Sequence, residues 1–381
     1  MRASYFRISK TLTVCVCQFI RPTAAFQSAL YSSDAGRIFE AESKPSVAVV
    51  GVGAVGGYYG ARLWDCGAYD VKFHMRGDNF SQCKKNGLDV KSVHGDIHIP
   101  SDQLQAYTDT SEIGKVDWVV VALKSTSLNA IPSLVSPLLD PERTRIIVIM
   151  NGLIENDLIK MLKEFHGENV DDEELNFCKA LYGGMALLCS NRVAPGSIEH
   201  SFASLLSYGV AAHSADTTVK ESLDNCQEFW KPVKNVETRL ELSLLGGRWR
   251  KNVWNLPFNG ISVAMGGITV DKVVEDEGLR KLAYEVMDET IAIANAELEK
   301  HGYDSSLFLG DEDKEKMFDL SDNMGPYKTS TMIDLTERRP MEVQYLFQEP
   351  LKRARSLGVD VPHLETIVAQ ICALQKWHGL F

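Results

Sequence analysis

SVAVVGVGAVGGYYGARLWDCG, residues 46–67, joins a short apolar run to a helical pattern through a glycine-rich turn. Gly51, Gly53 and Gly56 form the pattern G-x-G-x-x-G in the strand, turn and helix context that it requires. One glycine permits the tight turn, another lets a pyrophosphate approach the backbone, and the helix N-terminus favours its negative charge. This predicts a dinucleotide-binding loop, with a merely structural turn as the alternative. The predicted cofactor-binding residues of the loop are Gly51, Val52, Gly53, Ala54, Val55 and Gly56.

Apolar runs and helical patterns alternate along the chain after this stretch. Strand-like runs follow at 70–76 (DVKFHMR), 116–124 (VDWVVVALK) and 145–152 (RIIVIMNG). Such alternation predicts a parallel, doubly wound sheet. Three further strand-like runs, at 178–190, 196–202 and 204–212, are expected to extend the edge of that sheet.

Beyond about Arg239 the pattern becomes helical, with stretches at 251–265 and 270–300, one opening at Pro340, and one at 362–376. The predicted fold class is α/β, an N-terminal Rossmann-type doubly wound sheet with a C-terminal all-helical domain. The predicted divisions are a targeting presequence or disordered segment at 1–44, an NADP-binding Rossmann-type domain at 45–238, and a helical substrate domain at 239–381.

Four positions follow the ends of predicted parallel strands: Gly51, Arg76, Lys124 and Asn151. The carboxyl ends of such strands share one edge of the sheet, where open α/β folds bind ligands. At position 76 an arginine stands where NAD-binding proteins place a carboxylate for the ribose, and Lys124 adds a second cation. The pair favours NADP(H) over NAD(H). Two ordinary surface cations are the alternative.

RKNVWNLPFNG, residues 250–260, sets Lys251, Asn255 and Asn259 four residues apart, on one face of a predicted helix. An ammonium in a cleft stabilises charge on a carbonyl oxygen and supplies a proton, so Lys251 is the predicted general acid. The two asparagines are expected to bind substrate oxygens. A buried polar seam between helices is the alternative, and Pro257 predicts a kink that would turn Asn259 away.

KTSTMIDLTERRPMEVQYL, residues 328–346, places Ser330 before a turn and Glu342 just after Pro340. Because proline suits the first position of a helix, Glu342 is expected in the first turn, where the helix dipole favours an ionised carboxylate.

The composition excludes several classes of function. A net charge of −11 opposes a nucleic-acid surface. Eight scattered cysteines without a C-x-x-C pair indicate free thiols rather than a zinc site. His94 and His98 have metal-ligand spacing but lie in an apparent hairpin, so no metal site is predicted. No stretch after the leader has the length of a membrane span.

Residues 1–33 contain four cations, many Ser and Thr residues, and no acidic residue. This composition predicts a targeting presequence for mitochondrion or plastid, although a signal peptide also suits its apolar core, and a cytoplasmic location is expected without it.

The chain from about Ser46 to Leu374 resembles the ketopantoate reductase (2-dehydropantoate 2-reductase) family nearly end to end. The resemblance lies in VAVVGVGAVGGYYGARL, VALKS, MNGL, WRKNVWNLPFNGISV and the spacing of Ser330, Asp334 and Glu342. It implies NADPH-dependent reduction of 2-dehydropantoate to (R)-pantoate, a step towards pantothenate and coenzyme A. The resemblance also implies roles for single residues: Lys251 as catalytic acid, Asn255, Asn259, Ser330 and Glu342 as substrate contacts, Asn151 beside the nicotinamide, and Arg76 and Lys124 at the 2′-phosphate. We count Glu342 and Asn151 with Lys251 as the catalytic set.

Two departures from the family pattern leave alternatives open. Met150 and Ile154 replace a polar residue and a glycine beside the expected cleft, and EFHGENVDDEELNF, residues 164–177, resembles an insertion. A reductase of another 2-oxo acid is therefore one alternative, and a non-catalytic NADPH-binding regulator is another. The partners expected are a small 2-oxo acid and, as an open alternative to a monomer, a second copy of the chain.

Residues 1–44 fused to a fluorescent protein test the targeting prediction by microscopy. We expect the fusion to enter an organelle, because the segment is basic, rich in Ser and Thr, and free of acidic residues over its first 33 positions. A purely cytosolic signal would rule targeting out.

Overall fold

The computed structural model describes residues 43–380, and its first strand already sets the position of the glycine-rich loop. β1 (Ser46–Val50) is buried, and α1 (Ala54–Asp65) starts three residues beyond Gly51. Gly51 has φ of +95°, and a Cβ on Gly56 would lie 2.0 Å from the Gly51 carbonyl oxygen. The turn therefore requires glycine at both positions.

Bounds of the remaining elements are as follows. The other strands are β2 (Asp70–His74), β3 (Leu88–Ser92), β4 (Ile97–Ile99), β5 (Gln105–Tyr107), β6 (Trp118–Val121), β7 (Arg145–Ile149), β8 (Ala180–Ala194), β9 (Ser197–His213) and β10 (Thr238–Leu240). The other α-helices are α2 (Gly77–Asn86), α3 (Ile131–Val135), α4 (Glu155–His166), α5 (Val219–Trp230), α6 (Leu244–Ala264), α7 (Val270–Glu275), α8 (Glu277–Lys300), α9 (Asp311–Asp322), α10 (Ser330–Thr336), α11 (Glu349–Leu357) and α12 (Pro362–Trp377). Short 3₁₀ stretches include Ser125–Ala130, and a π-helical turn spans Gln344–Gln348.

The sheet order is β4-β3-β9-β8-β7-β6-β1-β2-β5, with β10 on the outer side of β9. The six strands from β8 to β5 run parallel, whereas β9 is antiparallel to β8. This confirms the predicted α/β class with a Rossmann-type sheet. The two runs predicted at 196–202 and 204–212 form one strand, β9, of 17 residues.

The sheet curls around α1. Tyr58 and Tyr59 of this helix are fully buried, in one apolar cluster with residues from β1, β3, β8 and β9. The opposite face of the central strands packs on α3 and α4 in a second cluster. Two-sided burial explains why the central strands are nearly continuous apolar runs.

The predicted hairpin around His94 and His98 is confirmed, because β3 and β4 are antiparallel. His98 Nδ1 lies 2.8 Å from a carboxylate oxygen of Asp89, and both side chains are exposed. Within residues 43–380 the structure brings no three metal-ligating side chains together.

The C-terminal region is helical, as predicted, and α6 runs through its core. The Ser243 hydroxyl accepts from the Gly246 amide at 3.0 Å and caps this helix. Leu256 and Phe258 are fully buried, and the burial of each side chain stabilises the folded state by about 1.5–3 kcal/mol.

Two helix boundaries differ from the sequence prediction. The stretch 270–300 is two helices, because Asp276 takes an extended conformation and its side chain caps the Leu279 amide. The helix expected to open at Pro340 begins at Val343 and passes through the π-helical turn before α11.

A buried arginine joins α6 to the sheet. Arg248 binds the Glu155 carboxylate through Nε at 2.8 Å and the Gly184 carbonyl through Nη1 at 3.2 Å. Residues from Lys44 onward form one compact unit, in which the sheet ends at Leu240 and α6 begins at Leu244. The two-domain division at 238 stays a prediction.

The leader prediction falls on residues 1–42 almost entirely, and these lie outside the described residues. In the part that the structure describes, no helix combines the length and apolar character needed to span a bilayer.

Glu155→Gln should lower the free energy of unfolding by about 3 kcal/mol or more, because it leaves the buried Arg248 without its counter-charge. Urea denaturation measures the change. The double variant Arg248→Met with Glu155→Leu should lose less free energy of unfolding than Glu155→Gln. Asp224→Asn, which breaks an exposed pair with Lys220, is the control and should cost less than about 1 kcal/mol. A Glu155→Gln loss no larger than that of the control would contradict this role for the buried pair.

Candidate active site

A cleft of about 570 Å³ lies between the carboxyl edge of the parallel strands and the helical region. Its walls come from the glycine-rich loop, the ends of β6 and β7, the β8–β9 hairpin, α6, and the segment around α10. The volume is typical of a small-molecule site.

The glycine-rich loop forms one wall of this cleft. A Cβ added at Gly53 would meet no atom within 4 Å, so the backbone faces open space there. Gly53 precedes α1, whose N-terminus carries neither a side-chain cap nor an acidic residue in its first turn. Free amides and a positive helix end fit a pyrophosphate, so the residues present suit a dinucleotide.

The predicted loop residues divide into two groups. Gly53, Ala54 and Val55 line the cleft, whereas Gly51, Val52 and Gly56 lie behind its surface and shape the turn. The Val52 carbonyl accepts a hydrogen bond from Asn79 Nδ2 at 3.0 Å, which fixes the loop to α2.

The two predicted phosphate-binding cations have different surroundings. Arg76 is exposed at the start of α2, outside the cleft wall. Lys124 lines the cleft and forms an ion pair with Asp334 of α10. Asp334 also accepts from Arg339 Nε at 3.2 Å, so two cations share this buried carboxylate. Sequence reasoning missed this ion pair, although Asp334 appeared in the spacing pattern.

Lys251 projects from α6 into the cleft, with Nζ 5.6 Å from the centre of the Trp254 ring. Within the described residues its ammonium makes no hydrogen bond or ion pair. Burial lowers the pKa of Lys251 to about 8, and the nearby Cys189 acts in the opposite direction. The ammonium is therefore acidic enough to release a proton near neutral pH.

Asn255 lines the cleft, and its Nδ2 is buried without a hydrogen-bond acceptor among the described residues. Asn259 lies behind it and donates to Asn255 Oδ1 at 3.4 Å. The Asn259 oxygen accepts from the Thr331 amide at 3.2 Å and the Ser330 hydroxyl at 3.4 Å. Lys251, Asn255, Asn259 and Ser330 are thus brought together, with Asn259 linking α6 to α10.

The predicted kink at Pro257 does not turn Asn259 away, because α6 continues through the proline as one helix. The missing amide costs one backbone hydrogen bond, and the helix stays continuous because its sides are buried among other helices.

Glu342 is buried, and Oε1 accepts from the Ser125 amide at 2.7 Å. The expectation that Glu342 lies in the first turn of a helix was wrong. Glu342 precedes that helix and faces the 3₁₀ turn that starts at Ser125. Burial raises the pKa of Glu342, while the Ser125 amide and the Lys124 charge oppose the rise.

Asn151 lines the cleft two residues after the end of β7, and the π-helical turn holds its loop in place. The Tyr345 carbonyl in that turn accepts from the Leu153 amide at 3.1 Å. Gly152 has φ of +88°, and a Cβ there would lie 2.7 Å from the Tyr345 carbonyl oxygen. A π-helical turn frees a carbonyl from the helix, and Pro350, which has no amide hydrogen, was its only sequence signal.

The two departures from the family pattern do not lie at equivalent places. Met150 lines the cleft, whereas Ile154 is fully buried in the apolar cluster under the sheet. Only Met150 changes the surface that a ligand meets.

Comparisons with known proteins agree on one family. The family model described as "Ketopantoate reductase PanE/ApbA" matches residues 47–213, and its C-terminal counterpart matches 243–375. The chain is 33% identical to the 2-dehydropantoate 2-reductase of a Nostoc species, over 85% of this chain and 93% of that protein. A solved 2-dehydropantoate 2-reductase from Geobacter metallireducens shares 32% identity and a TM-score of 0.73, covering 86% and 99% of the chains. D-mandelate dehydrogenase, solved with NADH and anilino(oxo)acetate, has a TM-score of 0.72 at 17% identity, covering 88% and 100%, and is similar in fold alone.

Gly152→Ala should destabilise the protein, because the added Cβ meets the Tyr345 backbone and the left-handed conformation disfavours alanine. Gly167→Ala is the matched control: Gly167 has φ of +71° and no atom within 4 Å of a built Cβ. Urea denaturation should show the Gly152 variant losing at least about 1 kcal/mol more than the control. Equal losses would mean that contact with the π-helical turn does not constrain the Asn151 loop.

Proposed function

Because the chain belongs to the ketopantoate reductase family, we propose that it reduces 2-dehydropantoate to (R)-pantoate with NADPH, on the way to pantothenate and coenzyme A. The chain is an oxidoreductase, and the family uses a pyridine nucleotide. The observation that carries the proposal is the Lys251 ammonium, half-buried in the cleft without a protein partner. A partly buried cation gains from an acceptor, and a 2-oxo acid supplies a carbonyl and a carboxylate.

Lys251 holds the proton that the reaction needs. When bound, the nicotinamide supplies a hydride to the carbonyl carbon, which leaves negative charge on oxygen. The Lys251 ammonium stabilises that charge and donates its proton from Nζ. A pKa of about 8 keeps the ammonium charged at neutral pH yet makes it a stronger acid than an exposed lysine.

Other cleft residues position the substrate. The Asn255 Nδ2 group, which has no acceptor within the described residues, donates to a substrate oxygen. Ser330 offers a hydroxyl from the start of α10, and Asn259 holds both groups through its own hydrogen bonds. Asn151 orients the nicotinamide of the bound cofactor. Glu342 contacts the substrate near that ring.

We propose NADPH rather than NADH because of the positive charges that follow the strand ends. Arg76 follows β2, at the position where NAD-binding proteins place a carboxylate for a ribose hydroxyl. Lys124 is close to the same edge, although Asp334 neutralises part of its charge. Arg76 therefore carries most of the proposed preference for the 2′-phosphate.

A reductase of another 2-oxo acid is the second candidate, and Met150 is the observation that favours it. Its side chain forms part of the cleft wall where the family often has a polar residue. A non-catalytic regulator does not explain an unpartnered ammonium beside an unpartnered carboxamide. Import into an organelle and assembly as a homodimer remain proposals from the sequence.

Lys251→Ala should lower kcat for 2-dehydropantoate by about 100-fold or more while leaving NADPH affinity nearly unchanged. In the parent enzyme, kcat/KM for reduction should be constant below a pH of about 8 and fall about tenfold per unit above it, because the ammonium is then deprotonated. Steady-state rates across pH measure both effects. Lys300→Ala, at the exposed end of α8, is the control. Normal turnover by the Lys251 variant would reject the general-acid role.

Arg76→Asp should weaken NADPH binding far more than NADH binding, because the new carboxylate repels a 2′-phosphate and accepts from a ribose hydroxyl. Fluorescence titration of the two reduced nucleotides gives both dissociation constants. An equal effect on the two would remove the basis for NADPH as the proposed cofactor.

A further inference from the structure

The β8–β9 hairpin extends beyond the end of β7 and covers the glycine-rich loop. β8 pairs with β7 only as far as Gly184, so its last ten residues project past the carboxyl edge. On this projecting part, the Ser190 hydroxyl donates to the Ala54 carbonyl at 3.4 Å. The hairpin therefore lies against the first turn of α1, where the helix dipole is positive.

Asn79 fixes the tip of the hairpin to that loop. Its Nδ2 donates to the Val52 carbonyl at 3.0 Å, and its Oδ1 accepts from the Gly196 amide at 2.8 Å. The asparagine is buried, with 7% of its surface exposed. One carboxamide thus sets the distance between the loop and the hairpin.

Arg192 is on the side of the hairpin that faces α1. It pairs in register with Ile198 across the two antiparallel strands, and such partners project from the same face. Ile198 points at α1, since a Cβ on Gly57 would lie 2.0 Å from its Cδ1. Arg192 also lies near α2, because its charge opposes the rise in the pKa of the buried Cys83 thiol to about 11.

The Arg192 side chain is exposed in the cleft and forms no hydrogen bond or ion pair with any residue between 43 and 380. The first turn of α1 beside it contains no acidic residue. The guanidinium and the N-terminus of α1 therefore both contribute positive potential to the space between them, and no acidic side chain of that helix turn offsets it.

We propose that Arg192 binds the diphosphate of the nucleotide cofactor, so that the β8–β9 hairpin completes a phosphate site begun by the glycine-rich loop. This inference rests on the proposed function, because it assumes a dinucleotide in the cleft. A guanidinium offers paired donors that match two phosphate oxygens. Arg76, at the end of β2, is left for the 2′-phosphate, and the two arginines therefore act on different parts of the cofactor.

The test is binding of NADPH and NADH to the full chain in the absence of any oxo acid, followed by fluorescence of the reduced nicotinamide. Arg192→Ala should raise both dissociation constants by about tenfold, because both nucleotides carry the diphosphate. Loss of a charge-assisted hydrogen bond weakens binding by about this factor. Arg192→Lys, which keeps the charge but not the paired donors, should raise them less. Arg355→Ala, an exposed arginine on α11 outside the cleft, is the matched control and should change neither.

Two results would overturn the assignment. One is NADPH binding by Arg192→Ala within about twofold of the parent protein, which would make Arg192 a solvated surface residue. The other is a loss for NADPH with none for NADH, which would place the guanidinium at the 2′-phosphate. A parent protein that binds neither nucleotide would overturn the proposed function as well. An equal Tm for all variants would show that the differences in dissociation constant do not come from unfolding.

Discussion

The site depends on one buried guanidinium, that of Arg248. It binds the carboxylate of Glu155 on α4, the Gly184 carbonyl of β8 and the Met150 carbonyl after β7. Lys251 lies three residues further along α6, and Asn151 follows Met150 directly. The position of the proposed acid relative to the cofactor side of the cleft is therefore set by hydrogen bonds to a single charged group. A buried charge with this many acceptors fixes geometry because any displacement leaves it without partners.

Some polar groups of the cleft have a protein partner, and others have none among the described residues. Lys124 is paired with Asp334, whereas the Lys251 ammonium and the Asn255 amide have no partner among the described residues. A low-dielectric site makes an unpaired donor costly and its interaction with a ligand correspondingly strong. Glu342, whose pKa is raised by burial, adds a hydrogen-bond acceptor beside the cleft. The distribution suits a small anion with a polar carbonyl.

Much of this arrangement could be predicted from local patterns. The glycine spacing at 51–56 and the polar residues that end β6 and β7 placed the cofactor edge, because parallel strands align their carboxyl ends. Four-residue spacing placed Lys251 and Asn255 on one helical face. The rest depends on contacts between distant segments: the hydrogen bond from the Ser125 amide to Glu342, the ion pair of Lys124, and the extension of β8 beyond the end of β7. The π-helical turn also escaped prediction, since its Tyr345 backbone meets Gly152 and Leu153, which are far away in sequence.

Oxidation of NADPH by the purified protein, measured by absorbance with a panel of 2-oxo acids, tests the central claim most directly. Ketopantoate should be compared with 2-oxoisovalerate, which lacks its hydroxymethyl group, and with phenylglyoxylate, which replaces the branched chain by a ring. The account predicts the highest kcat/KM for ketopantoate, because unpaired polar groups in the cleft need the oxygens that this substrate carries. Equal or higher kcat/KM for either of the other acids would contradict ketopantoate as the substrate and point to the apolar wall at Met150.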